Sequence, residues 1–446
     1  MIEFIGATRQ DSDNIGASPA RLINLYRERV GNRTVLKGVP GQTLFVALND
    51  VMGRAMTEVG GTLFAASGGA LYSVTSGGVA ANLGAIADDV DTFMEGYAAN
   101  VTVTAGGNYY VWDGATLSTV TGGAFSNIGS VAFAGGYTLL TEKDGSRFQW
   151  AELQDPGTLN GLNFATAEAI DDTLSRAVVH KGNVYLFGKA STEIWYLTGG
   201  ANANAFARLA GGVVDRGVLA PALVTDFGEG MFFVGDDGVG YIMSGVTPMP
   251  ISVRGFETAV AAETPTHCFY YETEGHKFIV VRFANRPAWV YDIAMAEWHE
   301  RAVGNTLTPW LVVGAAKAYG KWRGISTLSN ITTLEGTADL GATILKRAVS
   351  STYELDENRL RLQRLVMRAR TGFSNLGRDM QLTLRLSRDR GLTWGAPKAR
   401  SLGTLGEYES RAVWRSLGQF RSITAEITLG DNTDAPIYTD AVADVI

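Results

Sequence analysis

Four histidines, His180, His267, His276 and His299, are the obvious residues to test for chemistry. A zinc site or a nucleophile–base pair would show them at short fixed spacings, with cysteine or acidic partners. None lies within four residues of another, and neither a His-Glu-x-x-His run nor a phosphate-cradling Gly-x-x-x-x-Gly-Lys-[Ser/Thr] run occurs. The single cysteine, Cys268, rules out an internal disulfide framework and a cysteine-based zinc site. Followed by Phe269 and Tyr270, it reads as a buried strand thiol. The carboxylate pairs Asp171-Asp172 and Asp236-Asp237 could bind calcium or act as acid and base. Each abuts a glycine turn or the start of a strand, where acidic residues serve as solvated turn formers. No cofactor or metal site is expected.

Two further groupings stand out. Ser387-Arg388-Asp389-Arg390-Gly391-Leu392-Thr393-Trp394 fits the Asp-box pattern Ser-x-Asp-x-Gly-x-Thr-Trp. It resembles the hairpin turn repeated in sialidases and other sugar-handling propellers. In such a turn the Asp389 carboxylate accepts backbone N–H groups while the tryptophan packs beneath. One copy, placed away from any repeat, reads as a hairpin staple rather than a catalytic feature. The second grouping is Arg359, Arg361, Arg364, Arg368 and Arg370, which fall on roughly one side of an alternating strand. They are either a solvated face or an interface for acidic neighbours, with DNA phosphates as a weaker third partner.

The elements that would carry these residues are strands. Gly (54 residues) is abundant, Pro (11) is scarce, and β-branched and aromatic residues are common, the balance of an all-β chain rich in tight turns. The clearest unit is Thr173 to Gly200. Its apolar runs Leu174–Val179, Val184–Phe187 and Glu193–Leu197 are separated by turn residues, with Ile194 and Tyr196 on one face and Trp195 on the other. The same strand–turn–strand pattern recurs in residues 60–74, 98–120, 131–153, 223–243, 268–298 and 310–334. Repeats of short strands every 40 to 50 residues or so predict a β-propeller of about seven blades. Past Gly336 the texture changes: strands at 360–370, 380–387, 411–414 and 422–429 predict a small β-sandwich. The domain plan is an arm at 1–40, a propeller at 41–344 and a sandwich or jelly-roll-like domain at 345–446. The arm could supply a strand that completes the last repeat, or bind a partner. No stretch shows a long helical period.

Charge and hydropathy narrow the setting. Residues 346–446 carry 16 Lys+Arg against 12 Asp+Glu, and the rest of the chain 22 against 33. An acidic body with a mildly basic tail argues for two domains with different contacts and against a generic nucleic-acid binder. No apolar run reaches the roughly 20 residues needed to cross a bilayer, and the first residues, MIEFIGATRQDSD, lack a secretory apolar core. Synthesis in a reducing cytoplasm is expected.

Several stretches together resemble a known family. SPARLINLYRERV (residues 18–30), VPGQTLF (39–45) with GTLFAASGGALYSV (61–74), FATAEAIDDTLSRAVVHKGNVYLFGKASTEIWYLTG (164–199), WVYDIAMAEWHERA (289–302) and the SRDRGLTWG hairpin (387–395) resemble the tail hub of short-tailed bacteriophages (podoviruses). These are packaged-DNA stabilisation, or head-completion, proteins. The resemblance implies a non-enzymatic virion protein, made in the host cytoplasm, that forms a ring in the tail, commonly of six copies. Its implied neighbours are the portal adaptor ring, a tail needle, and fibres or spikes. Double-stranded DNA would pass through the lumen without specific binding, and no membrane is involved. The acidic excess fits a wall that repels DNA phosphates. Two other classes compete: a sialidase-like propeller enzyme, which would need Asp-boxes in the blades and clustered Arg, Tyr and carboxylates on one face, and a sugar-binding tail fibre protein.

Overall fold

The computed structural model describes residues 2–3, 5, 19–48, 52–200, 204–354, 359–372, 379–431 and 437–445. Nearly all of the regular structure is strand. In the first blade Thr62–Ser67 and Ala70–Val74 pair antiparallel across a turn at Gly68 and Gly69, Gly68 adopting φ +54. The left-handed conformation at such tight turns is what glycine supplies without a steric penalty. Each meander of four strands makes a sheet that cannot bury its two faces alone, so neighbours stack around an axis.

Six such sheets are self-contained: 53–85, 93–119, 128–166, 174–214, 224–250, and 312–333 completed by Thr43–Ala47. The strands of 267–303 sit in the ring before the last of these, yet they are not a sheet of their own. Their outer strand, Glu297–Val303, pairs in parallel with Arg21–Ile23, and the sheet continues through Lys346–Val349, Ser422–Leu429 and Gln381–Ser387 to Lys398–Ser401. The expected count of about seven blades therefore becomes six discrete blades and one unit merged into an eleven-stranded sheet. The chain's early strand Thr43–Ala47 closes the ring by pairing with Asn330–Thr333, a join across nearly 300 residues.

The innermost strands run side by side around the axis, Val312–Ala318 returning to Gly53–Val59. Four of them carry a register shift near their start, at Gly53/Ala55, Ile128/Val131, Leu174/Arg176 and Val312/Gly314. A bulge there sharpens the local twist of the strand.

Apolar side chains fill the gaps between blades. Ile194 joins the cluster on one side of its blade and Trp195 the cluster on the other, as alternation predicts. Trp195 meets Phe148 edge-on at 4.9 Å, and Trp298 stacks on Phe256 at 4.6 Å with its indole N–H donating to the Ile251 carbonyl (2.8 Å). Phe256 belongs to an α-helix, Arg254–Ala262, that no sequence period announced. At nine residues it is too short to show one, and it is held by burying Phe256, Ala259 and Val260 against the blade.

The C-terminal domain is a sandwich. A six-stranded sheet containing Leu25–Val30, Arg33–Gly38, Ile437–Val445, Leu360–Ala369 and Ala412–Phe420 packs on the end of the eleven-stranded sheet. Trp414, Leu365, Met367, Leu382, Leu384 and Ile427 form the core between them. Residues 21–38, expected in an arm, thus pair with sandwich strands, and the closing strand of the propeller lies just beyond residue 40.

Candidate functional site

The histidines are dispersed. His180 Nδ1 lies 2.5 Å from Asp226 Oδ2 on the next blade, and His276 Nδ1 lies 2.7 Å from Asp292 Oδ2. Both pairs join neighbouring strands or blades, and their partners are 46 and 16 residues away, out of reach of any local motif. His299 is buried beside Tyr26 and Phe278, and burial, with Arg301 and His276 nearby, pulls it down to about 3, so it is neutral. The carboxylate pairs hold turns. Asp172 Oδ2 accepts N–H groups from Ala190 (2.8 Å) and Ser191 (2.9 Å), and Asp237 accepts from Val239 N and the Tyr241 hydroxyl. Among the described residues, no group of three His, Cys, Asp or Glu side chains could hold a metal ion.

The Asp-box forms the hairpin its residues dictate. Asp389 Oδ1 accepts from the Ser387 hydroxyl (2.6 Å) and from Thr393 N (2.8 Å), while Thr393 Oγ1 donates to Oδ2 (2.5 Å). These donors hold the Asp389 carboxyl down at about 2. Gly391 sits at φ +92 and donates its N–H to Ser387 Oγ (2.8 Å). Trp394 is half-buried, with the Arg385 guanidinium 5.3 Å from its ring centroid and Arg385 paired with Glu426. Both carboxylate oxygens of Asp389 are engaged within the turn.

The arginine stripe lies on the sandwich. Strand Leu360–Ala369 is internal to its sheet, flanked by Ala412–Phe420 and Ile437–Val445. A register shift between Leu362 and Arg364 keeps Leu362, Leu365 and Met367 in the core. Arg361, Arg364 and Arg368 fall on the other face, with Arg359 and Arg370 exposed at the ends. Register sets Arg364 opposite Arg415 on one side and Asp444 on the other.

A second cationic feature was not legible in the sequence. At the axis of the propeller, Arg176 and Glu95, from blades two apart, sit close enough to feel one another's charge. Burial pushes the Glu95 carboxyl up to about 7 against the pull of Arg176. Arg176 stacks over Phe93, 4.5 Å to the ring centroid. Only ring closure brings these residues together.

The domains are locked at their junction. Asn24, fully buried at φ +56, donates from Nδ2 to the Leu345 carbonyl (2.9 Å) and accepts from Ala302 N (2.9 Å). Arg301 and Asp339, both buried, pair at 3.2 Å, and Gln42 Nε2 donates to the same Asp339 oxygen (3.1 Å). Arg21 pairs with Glu300, and Arg27 with Glu297 (2.8 Å).

The fold defines the class of molecule: a β-propeller fused through a shared sheet to a β-sandwich. Family comparison places the chain within that class. A model of the propeller of bacteriophage P22 Gp10 matches residues 4–334, and a model of the β-sandwich of the same protein matches residues 347–425. The chain belongs to this family, the tail hub/DNA-stabilisation proteins of podoviruses, and is a structural protein of a phage tail. No curated protein sequence matches it. Among solved structures it is similar to BamB from Moraxella catarrhalis (11% identity, 74% of this chain and 97% of that one, TM-score 0.42). It is also similar to the Pan2 WD40 domain of Neurospora crassa (8%, 66% and 95%, 0.45) and to the RRP9 WD40 repeats (7%, 67% and 99%, 0.44).

Proposed function

We propose that this chain is the tail hub, or nozzle, subunit of a short-tailed phage. Copies form a ring, six as the family resemblance implies, below the portal and its adaptor. The ring extends the DNA channel, helps retain the packaged genome, and anchors the needle and the fibres or spikes. Its role is non-enzymatic. The observation that carries this reading is the ordered match of both domains, propeller and sandwich, to one phage tail protein.

Two physical features support it. The eleven-stranded sheet and the junction around Asn24 and Arg301 make the two domains a stiff unit, suited to a ring that must hold back DNA. The acidic excess outside residues 346–446 fits a lumen that repels DNA phosphates, while the arginine face of the sandwich fits an acidic neighbour in the ring or the adaptor.

Mass measurement of the purified chain, alone and mixed with its adaptor ring, tests the reading. A ring assembling on the adaptor is expected, with charge reversal at Arg361 and Arg368 weakening it. A chain that stays monomeric beside the adaptor and cleaves sialosides would overturn the proposal.

A further inference from the structure

The axis of the propeller opens on one face into a cavity of about 150 Å³. It is lined at the starts of the innermost strands by Arg54, Met56, Phe93, Arg176, His267 and Cys268. Three of its nitrogens have no hydrogen-bond partner although they are buried: both ring nitrogens of His267 and the Nε of Arg176. Arg176 is otherwise well held, its Nη1 donating to the carbonyls of Pro221 (3.2 Å) and Val224 (3.1 Å). Buried polar groups normally find partners, so unpartnered nitrogens on two side chains that line one cavity point to something that fills it.

Charges of both signs surround the cavity, Arg54, Arg176 and Arg282 set against Asp88, Asp91 and Glu95. Arg54 lies on the first blade, 2.7 Å from an Asp88 carboxylate that is half exposed. Arg282 faces His267 in register and is engaged with the Trp310 carbonyl and the Thr266 hydroxyl. Burial first, then Arg282 and Arg54, hold the His267 ring down at about 4. The acids on this side are Asp88 against Arg54, with Asp91 and Glu95 within range of Arg176. The Cys268 thiol is pushed up by burial and stays protonated.

We propose that this axial mouth binds a compact oxyanion, of phosphate or carboxylate size, between the guanidinium groups of Arg54 and Arg176 and the imidazole of His267. One ligand oxygen accepts from Arg176 Nε–H and another from a ring N–H of His267, using the donors the fold leaves over. Guanidinium groups suit this task because they stay charged and present several donors in one plane. A bound anion also favours the protonated imidazole, so binding tightens as pH falls.

The test uses the full chain labelled with [15N]histidine, titrated separately with sodium phosphate and sodium acetate at constant ionic strength, at about pH 5 and about pH 8. Saturable binding of at least one anion is expected, roughly tenfold tighter at the lower pH, with the ring resonances of His267 moving and those of His180, His276 and His299 nearly still. His267→Gln should weaken binding about tenfold, the scale of one charged hydrogen bond, while leaving the thermal melt in place. Tighter phosphate binding would mark a tetrahedral ligand, and tighter acetate binding the carboxylate of a protein. Absence of saturable binding by either anion, or binding that leaves the His267 resonances unmoved, overturns the proposal. The second readout uses the unsubstituted protein and decides even if the variant does not fold.

Discussion

Asn24→Ala should be among the most damaging single changes in the chain. The substitution removes the donor to the Leu345 carbonyl and the acceptor for Ala302 N–H, both 2.9 Å contacts, at a side chain with no exposure. A buried group left without its partner costs about 1–3 kcal/mol. Alanine must also hold φ +56, where a Cβ costs about 1 kcal/mol more than at glycine. The sum over both groups and the backbone is about 3–7 kcal/mol, a large share of the roughly 5–15 kcal/mol that separates folded from unfolded proteins. Asn24→Gly loses the same two hydrogen bonds without the backbone penalty, so it should be about 1 kcal/mol more stable than Asn24→Ala. Guanidinium unfolding followed by both fluorescence and circular dichroism gives the order of the three proteins, and two probes are needed because a chain of this size need not unfold in one step. Hydrogen exchange at the Ala302 amide reads the junction directly and should accelerate in both variants. An alanine variant within about 0.5 kcal/mol of the parent, or a glycine variant less stable than the alanine one, would refute the reasoning.

Trp298→Ala should cost about 3–5 kcal/mol, since the ring is fully buried against Phe256 and its N–H is used, and a melting temperature close to the parent's would contradict the packing described. His299 is held at about 3 in the fold against 6.5 unfolded, so its neutral form stabilises the protein fully above about pH 6.5 and that contribution is lost as pH falls towards 3. His299→Gln should flatten this part of the stability-against-pH curve, and a curve of unchanged slope would contradict the assignment. Asp389 is held at about 2 against 3.8 unfolded, so its contribution is present above about pH 4 and disappears as pH falls through 2. Asp389→Ala should therefore lower the melting temperature at neutral pH and have little effect near pH 2, whereas an equal effect at both would show that the turn does not depend on the carboxylate.

Local features were legible because their causes are local. The turn at Gly391 and the staple by Asp389, Ser387 and Thr393 depend on residues at most four apart. The strands of residues 174–197 follow from alternation, which also placed Ile194 and Trp195 on opposite faces. The helix Arg254–Ala262 escaped notice because nine residues carry too little periodicity to stand apart from the strands around it. The His180–Asp226 and His276–Asp292 pairs escaped because their members lie on different strands.

The sequence by itself determined an all-β chain of repeated meanders followed by a sandwich, its lack of local catalytic motifs, and its division into an acidic body and a basic tail. Period-two patterning, turn chemistry and composition are written along the chain, and they act over a few residues. Only the tertiary structure decided that Thr43–Ala47 closes the ring on Asn330–Thr333, and that Arg21–Ile23 welds one four-stranded unit to the sandwich. It alone gathers Arg54, Arg176 and His267 at one axial mouth. The reason is that β pairing joins backbone groups that every residue carries, so three or five residues of strand cannot specify a partner nearly 300 positions away. That choice is made by which pairings let all the apolar faces be buried at once.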